Sequence, residues 1–199
     1  MDIGGHPALG RSIERLQRCT TLDGIVVATT THARDDVVVT LAASYGVQTF
    51  RGPEQDVLAR YVGAAEQAGA DIVARITADC PLIDPSVVDR AVHALRSSRY
   101  DFASNAITRS YPVGLDVEVM WTDVLARVDR MATTPQAREH VCWYLYRERP
   151  DLFAIREVRD DEDNSDLCWT LDTMEDLEHI RSIYDDVDYR TLIQRERAL

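Results

Sequence analysis

The pattern of apolar and polar residues changes period several times in the first half of the chain. Segments with an apolar residue every three or four positions are typical of helices, and short runs of β-branched residues stand between them. The runs "GIVVATT" and "DIVARIT" are apolar on both faces, as buried strands of a parallel sheet are. Strand and helix therefore alternate from residue 7 to about residue 105, which predicts an α/β fold with a mostly parallel sheet.

The pattern changes after about residue 105. The segment "LDVEVMW" alternates like a strand with one buried face, which places Leu115, Val117 and Val119 on one side and Asp116 and Glu118 on the other. The following segments predict two helices, a strand, a second strand and two more helices: "TDVLARVDRMA", "PQAREHVCWYLYRER", "FAIREV", "LCWTL", "TMEDLEHIRSIYDD" and "YRTLIQRERAL". We therefore predict one domain over residues 1–199, with an antiparallel elaboration after residue 105.

Composition excludes some classes of partner. Lys and Arg total 22 against 34 Asp and Glu, so the formal net charge is -12. Such a surface repels phosphate backbones, and we expect no nucleic acid as a partner. No apolar run approaches the ~18 residues of a membrane-spanning helix, so no membrane association is expected. The four cysteines lack zinc-site spacing, which favours reduced thiols in a cytoplasmic protein.

Two carboxylates follow predicted strands. Asp79 comes two residues after "DIVARIT", and Asp172 comes directly after "CWTL". Ligands of open α/β sheets bind beyond the carboxyl ends of the strands, and Mg²⁺ usually takes one or two protein carboxylates. The pair is thus a candidate Mg²⁺ site. Spacing alone favours the plainer interpretation, in which both are helix caps or loop residues.

Basic residues stand near the same strand ends. Arg75 lies inside a predicted strand, where an unpaired guanidinium would be costly to bury. Arg51 follows the strand "VQTF", and Arg60 lies one helical turn after Asp56. A local ion pair between Asp56 and Arg60 is an equally good explanation of that spacing. In "REHV", His140 follows Glu139, but a lone histidine on a helix is more often packed or solvated than catalytic.

Six segments in order resemble the cytidylyltransferase family that activates acidic sugars: "GIVVATTT", "FRGPEQDVLARY", "ADIVARITADCPLIDP", "YPVGLDVEV", "AREHV" and "WTLDTMEDLEHIRSIY". The resemblance is strongest to its branch of spore-coat polysaccharide biosynthesis proteins. More distantly, the chain resembles the synthetases of CMP-ketodeoxyoctonate and CMP-sialate. The resemblance implies a Rossmann-like nucleotide-diphosphosugar transferase fold, with helices on both faces of the sheet.

The resemblance also implies an activity and a set of site residues. A sugar hydroxyl would attack the α-phosphorus of CTP in a Mg²⁺-dependent reaction that releases pyrophosphate, for surface or spore-coat polysaccharide or a related glycan. Asp79 and Asp172 match the catalytic positions that hold the metal. The nucleotide-contact positions correspond to Arg51, Gly52, Asp56, Arg60 and Arg75, and the sugar-facing positions to Asp116, Glu118, Glu139 and His140. Relatives commonly pair through the antiparallel elaboration, so we expect a homodimer.

The turn "GGHP" stands where the family has Gly-Lys-Pro, with His6 in the lysine place. In the family a buried strand and a glycine-rich phosphate loop precede this turn, and such loops supply backbone N–H groups to phosphates. We therefore expect the natural polypeptide to begin upstream of residue 1. Without that strand, two strand edges near the middle of the sheet would keep unpaired N–H and C=O groups.

Two other functions remain open at this point. A non-catalytic homologue could bind a nucleotide, a sugar or a partner after losing the phosphate loop, although the retained pair Asp79 and Asp172 favours an enzyme. A glycosyltransferase that uses a nucleotide sugar would need an Asp-x-Asp-like metal motif at a strand end. The segment "DVE" at 116–118 is a poor candidate for that motif.

Overall fold

The computed structural model describes residues 1–198. The strands are β1 (Asp2–Ile3), β2 (His6–Pro7), β3 (Val26–Thr30), β4 (Gln48–Gly52), β5 (Ile72–Arg75), β6 (Phe102–Ser104), β7 (Glu118–Trp121) and β8 (Ile155–Glu157). The α-helices are α1 (Ala8–Leu16), α2 (Asp36–Ser44), α3 (Val57–Ala68), α4 (Pro85–Arg96), α5 (Thr122–Met131), α6 (Pro135–Glu139), α7 (Met174–Ile183) and α8 (Tyr189–Glu196). The predicted alternation of strand and helix up to residue 105 is confirmed.

Helix starts follow the local sequence signals. Asp84 caps α4 by accepting from the Ser86 N–H, and Pro85 occupies the first helical position, where its missing N–H costs nothing. Thr173 and Asp176 form a capping box at the start of α7. Both starts are therefore encoded within a few residues of the helix.

β1 and β2 form a short antiparallel ribbon of their own, and the other six strands form a mixed sheet in two parts. β3 and β4 pair in parallel, and the larger part has the strand order β5-β7-β6-β8. β7 is antiparallel to both β5 and β6, and β8 is parallel to β6. Three strands of the larger part thus run in one direction and β7 alone is reversed, which confirms an antiparallel elaboration after residue 105.

A cavity of about 620 Å³ separates the two parts of the sheet. β3 contributes Val26 and Ala28 to its lining, and β5 contributes Ile72, Val73 and Ala74. The residues of both strands are mostly half-buried, whereas β6 is buried throughout. The prediction that both runs are buried on both faces is therefore wrong for this structure, because no strand within residues 1–198 pairs with β3 or β5 on the cavity side.

Two apolar clusters form the core. The larger one includes Leu115, Val117 and Val119, all fully buried, which confirms the predicted alternation of this segment. The smaller one packs side chains of α3 and α5 against β6 and β7, including Leu58, Phe102, Met120, Leu125 and Val128. β7 thus contributes side chains to both clusters. The N-terminal end of β7 lies beside the pocket described below.

Two predicted elements are wrong. The segment 135–149 is not one helix: α6 ends at Glu139, Val141 has a left-handed backbone (φ 48°), and a π-helix spans Tyr144–Glu148. The apolar pattern continues across the break at intervals of four residues, with Ala137, Val141 and Leu145 all buried, so periodicity cannot reveal it. The segment "LCWTL" is not a regular strand either, since it makes a single bridge between Cys168 and Val113.

Two expectations from composition can be compared with the structure. No helix within residues 1–198 is both long enough and apolar enough to cross a membrane. The four cysteines are free thiols, as expected, and Cys80 and Cys142 are buried.

Candidate active site

A second cavity, of about 200 Å³, collects charged and aromatic side chains near β5, β7 and the turn after α6. Its lining consists of Arg75, Thr77, Ala106, Arg109, Asp116, Glu118, His140, Trp143 and Tyr146, and we call it the polar pocket. Three of the four predicted sugar-facing residues lie here together, namely Asp116, Glu118 and His140. Glu139, at the exposed end of α6, does not line it.

Arg75 joins this group because of strand register. The antiparallel pairing of β5 and β7 sets Arg75 opposite Glu118, and the two side chains form an ion pair. They are only 16% and 6% exposed. Burial alone would lower the pKa of Arg75, but the Glu118 carboxylate outweighs it and raises the pKa above its ordinary value. Arg75 thus lies among the residues predicted to face the sugar, although the resemblance implies a nucleotide contact.

A second ion pair stands in the same pocket. Arg109 binds Asp116 through both guanidinium nitrogens, with Nη1–Oδ1 at 2.5 Å and Nη2–Oδ2 at 2.8 Å. The hydrogen bond to Asp116 raises the pKa of Arg109. This pair is more exposed than the first, at 36% and 28%. Sequence reasoning missed Arg109, because it lies in an irregular segment with no periodic pattern.

The aromatic wall of the pocket depends on the break after α6. The ring centroids of His140 and Trp143 are 6.0 Å apart, and those of Trp143 and Tyr146 are 6.2 Å apart. Val141, between them, is a β-branched residue in the left-handed region, a conformation that costs on the order of 1–3 kcal/mol. Such strain is a common feature of functional turns. No sequence pattern singles out Trp143 or Tyr146 as a pocket residue.

A close backbone contact joins the pocket to the segment that leads to Asp172. Gly114 has φ +100°, and a Cβ there would lie 2.7 Å from the carbonyl carbon of Trp169. The Val113 N–H donates to the Leu167 carbonyl at 2.9 Å, and the Trp169 N–H donates to the Val113 carbonyl at 2.7 Å. Only glycine permits this approach, so Gly114 fixes the loop before Asp116 against residues 167–170.

The segments of the two candidate metal ligands meet directly. The Leu171 N–H donates to the Asp79 carbonyl at 2.9 Å, which brings the backbones of Asp79 and Asp172 together. Asp79 is half-buried and Asp172 is exposed. Both lie in loops, as one half of the plainer interpretation has it, and neither caps a helix, since Asp84 caps α4 and Thr173 caps α7. Within residues 1–198 neither carboxylate takes part in an ion pair.

The predicted nucleotide-contact residues of the β4–α3 region lie in the other part of the sheet. Arg51, at the end of β4, donates to the carbonyls of Thr30 (2.8 Å) and His32 (2.7 Å) and binds Asp36 at 2.6 Å. A Cβ on Gly52 would lie 2.8 Å from Cγ of Arg60, so the glycine makes room for that side chain. These contacts organise the loops after β3 and β4.

The predicted ion pair between Asp56 and Arg60 is wrong. Asp56 caps α3 by accepting from the Ala59 N–H at 3.0 Å, and its carboxylate pairs with Arg138 of α6 at 2.6 Å. Arg60 instead donates to the Pro53 carbonyl at 3.1 Å. Because Asp56 lies in the cap and not on the helix face, its carboxylate is directed away from Arg60. It links α3 to α6.

The comparisons with known proteins agree on one family. Residues 1–194 match the family model described as cytidylyltransferase. An uncharacterised protein of Methanocaldococcus jannaschii is 34% identical over 97% of this chain and 81% of its own length. The spore coat polysaccharide biosynthesis protein SpsF of Bacillus subtilis is 31% identical over 81% of this chain and 67% of its own.

A solved structure agrees with these matches. A cytidylyltransferase of Leptospira borgpetersenii covers 100% of this chain and 86% of its own, with 31% identity and a TM-score of 0.95. The expected Rossmann-like nucleotidyltransferase fold is thus confirmed. Together with the match over residues 1–194, this shows that the chain belongs to the cytidylyltransferase family of nucleotidyltransferases.

Proposed function

We propose that this protein transfers a cytidylyl group from CTP to a sugar bound in the polar pocket, with Mg²⁺ and with release of pyrophosphate. One observation carries the proposal. The bonds of Val113 to Leu167 and Trp169, and of Leu171 to Asp79, connect the polar pocket to the two carboxylates through a few residues of backbone. A sugar in the pocket would lie beside a nucleotide held at those carboxylates.

The polar pocket has the chemistry and the size for a single sugar. A carboxylate accepts a hydrogen bond from a sugar hydroxyl, and a guanidinium group donates one to it. The rings of Trp143 and Tyr146 offer apolar faces beside these groups. The four charges are already paired, Arg75 with Glu118 and Arg109 with Asp116. Their orientation is therefore set before the sugar enters.

The acid group of an acidic sugar would bind Arg109. Arg109 and its partner Asp116 are the exposed pair of the pocket, and a guanidinium binds any carboxylate through the same two-pronged geometry. The substrate carboxylate would take the place of Asp116. An acidic sugar for spore-coat or related glycan synthesis is further supported by the similarity to SpsF.

Asp79 and Asp172 fit a Mg²⁺ ion by donor type. Both offer carboxylate oxygens that no helix cap and no arginine uses, and their segments are joined by the Leu171–Asp79 hydrogen bond. Within residues 1–198 no third acidic, histidine or cysteine side chain completes a metal cluster. Mg²⁺ commonly takes one or two carboxylates and fills its remaining positions with water and substrate phosphate. When bound, the ion would polarise the α-phosphate of CTP and offset developing charge.

The protein's own residues then position the reactants. The pocket residues orient the sugar hydroxyl, and the Gly114 contact holds their loop against the Asp172 segment. Correct orientation of two bound reactants accounts for a large part of catalysis in phosphoryl and nucleotidyl transfer. A homodimer and a cytoplasmic location stay predictions.

A non-catalytic homologue is the second candidate, and the contacts of the arginines in the β3–β4 part favour it. Arg51 and Arg60 are engaged with loop carbonyls of their own part of the sheet, so nucleotide binding would have to replace some of those bonds. The glycosyltransferase alternative is weakened, because Asp116 and Glu118 of the "DVE" segment are both paired with arginine. Those carboxylates are not free to hold a metal.

Calorimetry of CTP binding with and without Mg²⁺, together with pyrophosphate release in the presence of acidic sugars, tests the proposal. We expect Asp79→Asn and Asp172→Asn each to lose Mg²⁺-dependent CTP binding and turnover at least a hundredfold. Asp161→Asn, on a 90% exposed side chain, is the matched control and should behave like the wild type. Full turnover in either site variant would refute the metal assignment, and no CTP binding by the wild type would favour the non-catalytic homologue.

A further inference from the structure

Asn105 is a buried polar residue at the point where β6 ends. It comes directly after Ser104, the last residue of that strand, and only 2% of its surface is exposed. A buried amide is costly unless its oxygen and its nitrogen both find hydrogen-bond partners. The proposed function gives Asn105 no role, so its partners are informative.

The side-chain amide of Asn105 uses both of its ends on one neighbouring segment. Its Nδ2 donates to the Leu115 carbonyl at 2.7 Å, and its Oδ1 accepts from the Val117 N–H at 2.7 Å. The backbone N–H of Asn105 also donates to the Val117 carbonyl at 3.4 Å. Asn105 thus binds the backbone on both sides of Asp116.

These hydrogen bonds continue the pairing of β6 with β7. Within the two strands, Ser104 pairs with Glu118 in antiparallel register. The chain bends away from the sheet after Ser104, where the Ala106 N–H donates back to the Ser104 hydroxyl at 3.0 Å. The side-chain carbonyl of Asn105 then accepts from Val117 in place of a main-chain carbonyl. The chain just before β7 is therefore held in line with that strand.

A chain held in this way presents Asp116 and Glu118 on the same side. Residues two positions apart in an extended strand point to one face, and their Cα atoms lie ~6.6 Å apart. Both line the polar pocket, and each pairs with its own arginine, Arg109 and Arg75 respectively. The hydrogen bonds of Asn105 therefore set the spacing between the two ion pairs.

A separate set of bonds holds the middle of the loop between β6 and β7. Ser110, next to Arg109, accepts from the Asp160 N–H through its hydroxyl at 2.7 Å. The Ser110 carbonyl accepts from the Asn164 N–H at 2.8 Å. Loss of the Asn105 side chain should therefore displace the end of the loop beside the pocket and leave its middle in place.

We propose that Asn105 is a positioning residue of the polar pocket, whose side-chain amide fixes the distance between the two ion pairs. The role rests on the proposed function, in which a single sugar fills the pocket and its acid group binds Arg109. The buried pair would meet hydroxyls of the same sugar, so the spacing decides whether both contacts form at once. An ionised aspartate at this position could not donate to the Leu115 carbonyl, and an apolar residue could make neither bond.

The role of Asn105 differs from that of Asp116. Removal of the Asp116 charge would free Arg109 for the acid group of the sugar. Removal of the Asn105 bonds would keep that competing carboxylate and change where it is held. The two changes should therefore move KM for the sugar in opposite directions.

Crystal structures of the wild type and of Asn105→Asp test the positioning itself, without substrate. The aspartate keeps an acceptor for the Val117 N–H and loses the donor to Leu115. We expect the distance between the carboxyl carbons of Asp116 and Glu118 to change by about 1 Å or more, a displacement large enough to impair catalysis. An unchanged distance would overturn the proposal.

Steady-state kinetics with CTP and ketodeoxyoctonate, as the acidic sugar, tests the consequence for binding. We expect Asn105→Asp to raise KM for the sugar at least fivefold, while kcat and KM for CTP change less than twofold. Asn105→Leu, which has no charge to bury, should raise KM for the sugar at least as much.

Thr122→Val is the matched control. The Thr122 hydroxyl donates to the Ala70 carbonyl at the opposite end of β7, away from the pocket. Its loss should lower the thermal midpoint without a change in KM for the sugar. An equal rise of this KM in Thr122→Val would overturn the proposal, because lost stability alone would then explain the effect.

The two experiments separate the role of Asn105 from the proposed function. If the wild type converts no acidic sugar, the proposed function fails, and the crystal structures still decide whether Asn105 fixes the spacing. An unchanged KM in a variant whose spacing has moved would overturn the role in sugar binding. A lower KM, as expected from loss of the Asp116 charge, would overturn it as well.

Discussion

The arginines of the two parts of the sheet have different partners. In the larger part, Arg75 and Arg109 pair with carboxylates of the β7 region, 43 and 7 residues away, and both pairs face one pocket. In the β3–β4 part, Arg51 binds two loop carbonyls and the exposed carboxylate of Asp36, and Arg60 donates to a loop carbonyl. The difference shows that the predicted sugar-facing residues lie together in one pocket, whereas the predicted nucleotide-contact residues of the β4–α3 region are engaged with their own loops.

The largest expected effect on stability comes from breaking the buried ion pair between Arg75 and Glu118. Arg75→Ala leaves the Glu118 carboxylate buried without a partner, and such changes cost about 3–5 kcal/mol of unfolding free energy. Urea denaturation measures this loss. The matched double variant, Arg75→Met with Glu118→Met, removes both charges and should recover most of the stability. If Arg75→Ala and the wild type have the same free energy of unfolding, the ion pair does not stabilise this part of the sheet.

The Gly114 contact should give the next largest effect. Gly114→Ala places a Cβ against the Trp169 backbone at a residue with positive φ, and we expect a loss of about 2 kcal/mol together with reduced turnover. Thermal unfolding and pyrophosphate release measure the two effects.

Gly24→Ala is the matched control for this substitution. Gly24 has open space around its Cβ position and no left-handed backbone, so the variant should be neutral. Equal stability and equal turnover of the two variants would show that the contact of Gly114 with the Trp169 backbone is unimportant.

Substitutions in the more exposed ion pair, Arg109 with Asp116, should have a smaller effect, and we expect it in KM. Asp116→Asn removes the carboxylate that competes for Arg109, so KM for an acidic sugar should fall several-fold while kcat changes less. Arg109→Lys should raise KM, because lysine cannot bind a carboxylate in the two-pronged way. Steady-state kinetics at varied sugar concentration measures both. A higher KM in Asp116→Asn would mean that Asp116 itself binds the sugar.

The smallest effect concerns Asp56, which links α3 to α6 outside the pocket. Burial would raise the pKa of Asp56, but hydrogen bonds from Arg138 and the Ala59 N–H outweigh it and lower the pKa. The stability from this shift is present above the ordinary pKa of ~3.9 and is lost as pH falls through the lowered value. Because the pair is partly exposed, we expect less than about 1 kcal/mol.

The comparison of wild type and Asp56→Asn by urea denaturation at pH 7 and pH 3 measures this contribution. The difference between the two proteins should shrink at the lower pH. A constant difference would show that the Arg138 bond does not act through the charge of Asp56.

Local signals predicted the elements of this fold well. The Asp84 cap, the capping box of Thr173 and Asp176, and the alternation of Leu115, Val117 and Val119 depend on residues a few positions apart. The break after α6 was not predictable, because buried residues continue at helical spacing across Val141.

The site was predictable only in part. The family resemblance pointed to Asp116, Glu118 and His140, and the alternation of their segment placed Asp116 and Glu118 opposite its apolar positions. The pairing of Arg75 with Glu118 follows from the register of β5 and β7, which no local pattern encodes. Arg109, Trp143 and Tyr146 reach the pocket through an irregular segment and a strained turn, so their roles emerged only in the folded chain.

Phosphorus NMR of a mixture of the protein, CTP, Mg²⁺ and an acidic sugar tests most directly whether a sugar in the polar pocket receives a cytidylyl group from CTP. We predict that the three CTP resonances give way to pyrophosphate and one phosphodiester resonance of a CMP-sugar, and that this conversion is lost in Asp172→Asn. Unchanged CTP resonances with every acidic, amino and neutral sugar supplied, while the protein stays folded, would contradict the account.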